Sequence, residues 1–134
     1  MIRVVLDTNI LVSALLNPHG PPAEAFLSVL LDADAQLRVS GDIHAEYEDV
    51  ICRPRLHRSD AEIEQTLRSV RENRVWVKPT ERVRGCSDPR DNIFLECAQT
   101  AGAQFLVTGN AKHFPRTWSE TRIVTAREFL DAAM

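Results

Sequence analysis

The chain has 134 residues, 44% hydrophobic and 26% charged, with a formal net charge of -3. That length suits a single domain over 1–134 with one sizeable core, and the balance of apolar and charged residues excludes a disordered chain. The negative balance excludes nucleic-acid binding through bulk positive charge, while a local nucleic-acid site stays open.

Val4, Val5 and Leu6 form a short apolar run suited to a buried strand, which ends abruptly at Asp7-Thr8-Asn9. Apolar residues at 10, 11, 12, 15 and 16 predict a helix over 10–16, ended by Asn17-Pro18-His19-Gly20-Pro21-Pro22. Pro21 and Pro22 suit the start of a second helix over 23–31, with Phe26, Leu27, Leu30 and Leu31 on one face. A short strand at 37–39 leads to Ser40, a good N-cap for a helix over 41–53. Ile43, Tyr47, Val50 and Ile51 give that helix its core face, and Glu46 lies beside it. A basic turn with Arg53, Arg55 and Arg58 follows, and the Ser59 and Glu62 capping box opens a helix through 73.

Val75, Trp76 and Val77 read as a strand in which Trp76 joins the core. After a connection containing Arg82 and Arg84, Asp88-Pro89-Arg90-Asp91-Asn92 marks the start of an amphipathic helix that runs to Gly102. Phe105, Leu106 and Val107 repeat the opening pattern, a short apolar strand running into Thr108-Gly109-Asn110. A last strand at 123–124 precedes a terminal helix opened by the Thr125 and Glu128 capping box. Trp118, near Pro115 and Arg116, is expected to be freer than Trp76.

Short apolar strands alternating with helices predict an α/β fold with a parallel sheet covered on both faces. No apolar run approaches the roughly 20 residues of a membrane span, and the N-terminus lacks the apolar stretch of a secretory signal. Cys52, Cys86 and Cys97 follow no paired spacing and the four histidines are scattered, so neither a zinc site nor a disulfide framework is expected. Buried free thiols fit a reducing compartment, and the chain is read as cytoplasmic.

In open α/β sheets ligands sit beyond the carboxyl ends of the strands. Three segments put polar groups there: Asp7-Thr8-Asn9, the turn with Asp88 and Asp91, and Thr108-Gly109-Asn110, with Glu46 aimed at the same rim. Ionised carboxylates so gathered repel one another unless a cation lies between them, and an all-oxygen site suits Mg²⁺ or Mn²⁺. Such an ion activates water and stabilises charge on a phosphoryl oxygen, so the natural reaction is phosphodiester hydrolysis. Thr8, Asn9, Thr108 and Asn110 are supporting residues, suited to orienting groups by hydrogen bonds. The two arginine groups, 53/55/58 and 82/84/90, are candidate phosphate contacts.

The succession Val5-Leu6-Asp7-Thr8-Asn9, a helix carrying Glu46, Asp88-Pro89-Arg90-Asp91-Asn92, and Leu106-Val107-Thr108-Gly109-Asn110 with His113-Phe114 resembles the PIN-domain family, especially its VapC-like toxin ribonucleases. The resemblance spans nearly the whole chain. It implies a three-layer α/β/α fold around a mainly parallel sheet and metal-dependent cleavage of single-stranded RNA with Mg²⁺ or Mn²⁺. Asp7, Glu46 and Asp91 match the principal catalytic and metal-holding acids, and Asp88 matches an auxiliary metal ligand. It further implies an RNA substrate and a cognate antitoxin protein as partners, and apolar helical faces near the N-terminus are candidates for a homodimer contact. One position departs: Asn110 stands where many members have Asp, offering a neutral oxygen and weakening a second metal position. The alternative reading is therefore a catalytically weak or inactive PIN-like module that binds RNA or protein.

Overall fold

In the computed structural model, which describes residues 1–133, the chain opens with β1 (Ile2–Leu6) and continues through α1 (Thr8–Leu16), α2 (Pro21–Leu31), β2 (Ala35–Ser40), α3 (Gly41–Ile51), α4 (Asp60–Asn73) and β3 (Arg74–Val77). Then follow α5 (Asn92–Ala101), β4 (Phe105–Val107), β5 (Thr117–Trp118), β6 (Thr121–Val124) and α6 (Ala126–Ala133). Val4, Val5 and Leu6 are wholly buried, as are Leu106 and Val107. Strands buried on both faces belong in the middle of a helix-covered parallel sheet. The sheet order β3-β2-β1-β4-β6-β5 puts β1 and β4 there, and β5 is the one antiparallel strand among the described residues.

The crossovers from β1 to β2 and from β2 to β3 run one way across the sheet, and the crossover from β3 to β4 runs the other way. Right-handed connections then put their helices on opposite faces. Accordingly, α1 and α2 pack together with α6 against α2, while α5 lies on β1, β2 and β4. This is the expected three-layer α/β/α arrangement.

Register fixes the functional edge. Leu6 pairs with Val107, and Val107 with Val124, so β1, β4 and β6 end level. Val4 pairs with Leu37, which carries Ser40 to the level of Asp7. The segments leaving these strands therefore share one rim.

Several local expectations change. Helix α1 begins at Thr8, two residues before the predicted start, and α3 ends at Ile51 rather than 53, before Pro54 can obstruct it. Strand β5 was not anticipated, because two residues are too short to show an alternating pattern. Trp76 is not core: it is 54% exposed on the edge strand β3, with the Arg74 guanidinium 4.6 Å above its ring. Trp118 is the more enclosed of the two and donates its indole N–H to Gln99 Oε1 at 2.8 Å. Cys97 is a buried free thiol as expected, Cys86 is half-buried and Cys52 is exposed. Among the described residues no helix is long and apolar enough to cross a membrane.

Candidate active site

Asp7 leaves β1 held by the backbone: its N–H donates to the Val107 carbonyl at 2.9 Å, and its own carbonyl accepts from Ile10 N–H at 3.0 Å. It occupies the N-cap position of α1, yet its side chain makes no capping bond. Instead the Thr108 hydroxyl donates to Asp7 Oδ2 at 2.6 Å, across the junction between β1 and β4. Burial, together with the negative charges of Asp91 and Glu46, pushes the Asp7 carboxyl up to about 6 against the pull of the Thr108 bond.

Glu46 is positioned by what surrounds it. Ser40 caps α3, its Oγ accepting from Ile43 N–H at 3.2 Å. One residue after Glu46, the fully buried Tyr47 donates its hydroxyl to the Leu6 carbonyl at 2.5 Å. This bond anchors α3 under the end of β1, and the Thr8 hydroxyl then donates to the Glu46 carboxylate.

Asp88 and Asp91 come from the short 3-10 turn ahead of α5. Asp88 Oδ1 accepts from Arg90 N–H at 3.0 Å, and the Arg90 guanidinium grips both Asp88 oxygens at 2.8 to 3.2 Å. These bonds hold the Asp88 carboxyl below its ordinary range. Asp91 is half-buried and moves the other way, raised by burial and then by the charges of Asp88 and Glu46, with His113 and Arg90 opposing.

The supporting residues tie the rim together. Asn9 Oδ1 accepts from Gly109 N–H at 3.0 Å, and a Cβ at Gly109 would stand only 3.4 Å from that oxygen. Asn110 N–H donates to the Thr108 hydroxyl oxygen at 3.0 Å, which leaves the exposed Asn110 side chain at the rim.

Two buried polar residues escaped sequence reasoning. Asn92 Oδ1 accepts from Gly85 and Cys86 N–H, both at 3.0 Å, and the buried Glu96 accepts from Val83 N–H at 3.1 Å. Together they clip the connection after β3 onto α5. Their spacing of four within an amphipathic helix was the available signal. The clip brings Cys86 beside the acids: its thiol is pushed up to about 12 by burial, then by the charges of Asp91, Asp7 and Asp88.

Carboxylates from three elements thus act on one another electrostatically, and this oxygen-only set matches the preference of Mg²⁺ and Mn²⁺. The side chains as they stand do not close on an ion: among the described residues no three His, Cys, Asp or Glu groups are placed to hold one together. Glu46 is turned to Thr8, and Asp88 to Arg90. The two predicted arginine groups are mostly engaged as well, Arg53 with Asp49, Arg58 with Glu62, Arg82 with Asp42 and Glu96, and Arg90 with Asp88.

A family model described as PIN domain matches residues 3–112. An uncharacterized protein of Methanocaldococcus jannaschii is 29% identical over 112 residues, covering 81% of this chain and 71% of that protein. Among solved structures, VapBC-1 from nontypeable Haemophilus influenzae superposes with a TM-score of 0.61 at 20% identity, over 94% of this chain and 99% of that one. VapBC2 from Rickettsia felis, bound to a DNA fragment from their promoter, gives 0.56 at 16% identity, over 91% and 97%. At such identities the likeness to the solved structures is one of fold.

Proposed function

This chain belongs to the PIN-domain family, and from that premise we propose that it is a metal-dependent endoribonuclease that hydrolyses single-stranded RNA, the toxin of a toxin-antitoxin pair. The observation that carries the reading is Asp7: a buried carboxyl at the end of the central strand, raised to about 6 and crowded by the charges of Asp91 and Glu46. A protein gains nothing in stability from gathering acids in this way, so the arrangement makes sense as a cation site. In this reading Asp7, Glu46 and Asp91 hold Mg²⁺ or Mn²⁺, and Asp88 and Asn110 tune the site. Bound there, the cation supplies a Lewis acid that neutralises charge developing on a phosphoryl oxygen and makes water a better nucleophile. Thr108 orients Asp7, Thr8 restrains Glu46, and Tyr47 sets the depth of α3 below the rim. The fold likeness to VapBC structures supports an antitoxin partner.

The test is cleavage of single-stranded RNA by the purified protein with Mg²⁺ or Mn²⁺, with Asp7→Asn as control, alongside growth on expression. Cleavage abolished by EDTA and by Asp7→Asn is expected. No cleavage with either metal, together with Asp7→Asn leaving metal binding and growth inhibition unchanged, would overturn the reading. A second reading is favoured by Asn110 and by the commitment of Glu46 and Asp88 to protein partners: a module that holds RNA or a protein without cutting. It predicts RNA binding that needs no metal and survives Asp91→Asn.

A further inference from the structure

Beside the acid rim lies a second feature, a cleft of about 600 Å³ along the outer edge of the sheet. Its lining includes Lys112, Arg116 and Arg122, the apolar wall of Phe114, and one acid, Glu128. The topology shows how it runs. Lys112 follows Asn110 by two residues and sits at the rim, whereas Arg122 pairs with Phe105 at the opposite end of β4 and β6. The cleft therefore leads from the acid cluster down β6. Its frame is fixed: Ile123 N–H donates to the Arg116 carbonyl at 3.0 Å, and the Arg122 guanidinium lies 5.5 Å from the Phe105 ring centre.

The charges in this cleft differ from most of those in the two arginine groups that stand out in the sequence. Among the described residues none of Lys112, Arg116 and Arg122 is in a salt bridge, while Arg53, Arg58, Arg82 and Arg90 are. Glu128 accepts from Thr125 N–H at 2.9 Å in its capping box and feels the Arg122 charge, so with three cations against one acid the cleft stays net positive. Three cations outside any salt bridge, in a groove with an apolar wall and in a protein of net charge -3, form a local site for a polyanion. A strand delivered to the acid rim needs such cations, because the rim itself repels phosphate.

We propose that this cleft carries the backbone of single-stranded RNA to or from the acid cluster, with Lys112, Arg116 and Arg122 contacting successive phosphates. The inference rests on the ribonuclease reading for its ligand, and its test does not depend on cleavage. A labelled single-stranded oligoribonucleotide is titrated with the protein in EDTA, where no metal-dependent cutting occurs, at several salt concentrations. The triple variant Lys112→Gln, Arg116→Gln, Arg122→Gln is expected to bind about tenfold more weakly, and its log-log salt slope to fall by about 2, at roughly 0.7 for each phosphate no longer neutralised. A control with Arg53, Arg55 and Arg58 changed to Gln removes the same charge elsewhere and is expected to bind within about twofold of wild type. Arg116→Gln alone, which keeps the Arg122 stack, covers the case in which the triple variant fails to fold, and is expected to lower the slope by about 0.7.

Unchanged affinity and slope in the cleft variants, or an equal loss in the control, would overturn the proposal and leave the ribonuclease reading standing. RNA held through the cleft by a protein that cuts nothing with any metal would support the cleft and sink the ribonuclease. No RNA binding by the wild type would sink the cleft.

Discussion

The Tyr47 hydroxyl donates to the Leu6 carbonyl at 2.5 Å, joining the middle of α3 to the last residue of β1. Each partner is the chain neighbour of an acid, Glu46 on one side and Asp7 on the other. A single buried bond therefore sets the separation of two carboxylates that are 39 residues apart in sequence.

Tyr47→Phe keeps the ring and removes this bond, leaving the Leu6 carbonyl without its partner. A loss of about 1 to 3 kcal/mol in stability is expected. Since α3 is freed to shift under the rim, kcat on RNA should fall while KM stays near wild type. Urea denaturation and steady-state kinetics measure the two; a stable Tyr47→Phe protein with full kcat would contradict the positioning role.

Asp7→Asn separates the chemical role of Asp7 from its effect on stability. The folded-state pKa of about 6 lies above the ordinary 3.8, so the native protein holds this proton more tightly than the unfolded chain. The stabilisation that results is fully present below about pH 3.8 and is lost as pH rises through about 6. At pH 7 the ionised group then costs on the order of 3 kcal/mol, at 1.36 kcal/mol per pH unit, and Asn removes that cost. The variant should be inactive yet more stable than wild type at pH 7, with the difference shrinking towards pH 4. Chemical denaturation across that range reads it directly.

A divalent cation should relieve the same crowding. At a hundredfold excess over its Kd, Mg²⁺ or Mn²⁺ is expected to stabilise the wild type by about 2.7 kcal/mol. Asp7→Asn and Asp91→Asn should each abolish most of this shift. A melting temperature indifferent to both metals, followed by calorimetry, would count against the cation site.

Asn110→Asp adds a carboxylate at the exposed corner of the rim. The metal-free protein should lose at most about 1 kcal/mol, as expected for an exposed charge, while metal affinity and cleavage rise several-fold. If instead metal affinity is unchanged, Asn110 faces away from the ion and the departure from the family pattern is without chemical consequence.

The fold was legible wherever local chemistry and tertiary structure agreed. The apolar runs at Val4 to Leu6 and at Phe105 to Val107 are indeed the buried central strands, and both capping boxes close with reciprocal bonds at Ser59 and Thr125. The rim residues Asp7, Thr8, Asn9 and Thr108 could be anticipated because a strand end announces itself by an abrupt change to polar residues. The exposure of Trp76 is not legible in the sequence, because its flanking valines suggest a strand but not whether that strand lies at an edge. The roles of Asn92 and Glu96 depend on a loop folding back onto their helix. The cationic cleft draws on residues 112, 116 and 122, whose proximity comes from the β5–β6 hairpin. The arginine groups that sequence spacing does reveal are instead mostly spent on neighbouring acids.

The measurement that bears most directly on the acid cluster is a crystal structure of the protein soaked in Mn²⁺, read by anomalous scattering. A Mn²⁺ peak held by Asp7, Glu46 and Asp91 is expected, with Glu46 turned away from Thr8 to reach it. A crystal in which Mn²⁺ at saturating concentration leaves these three carboxylates without an ion, or binds only elsewhere, would contradict it.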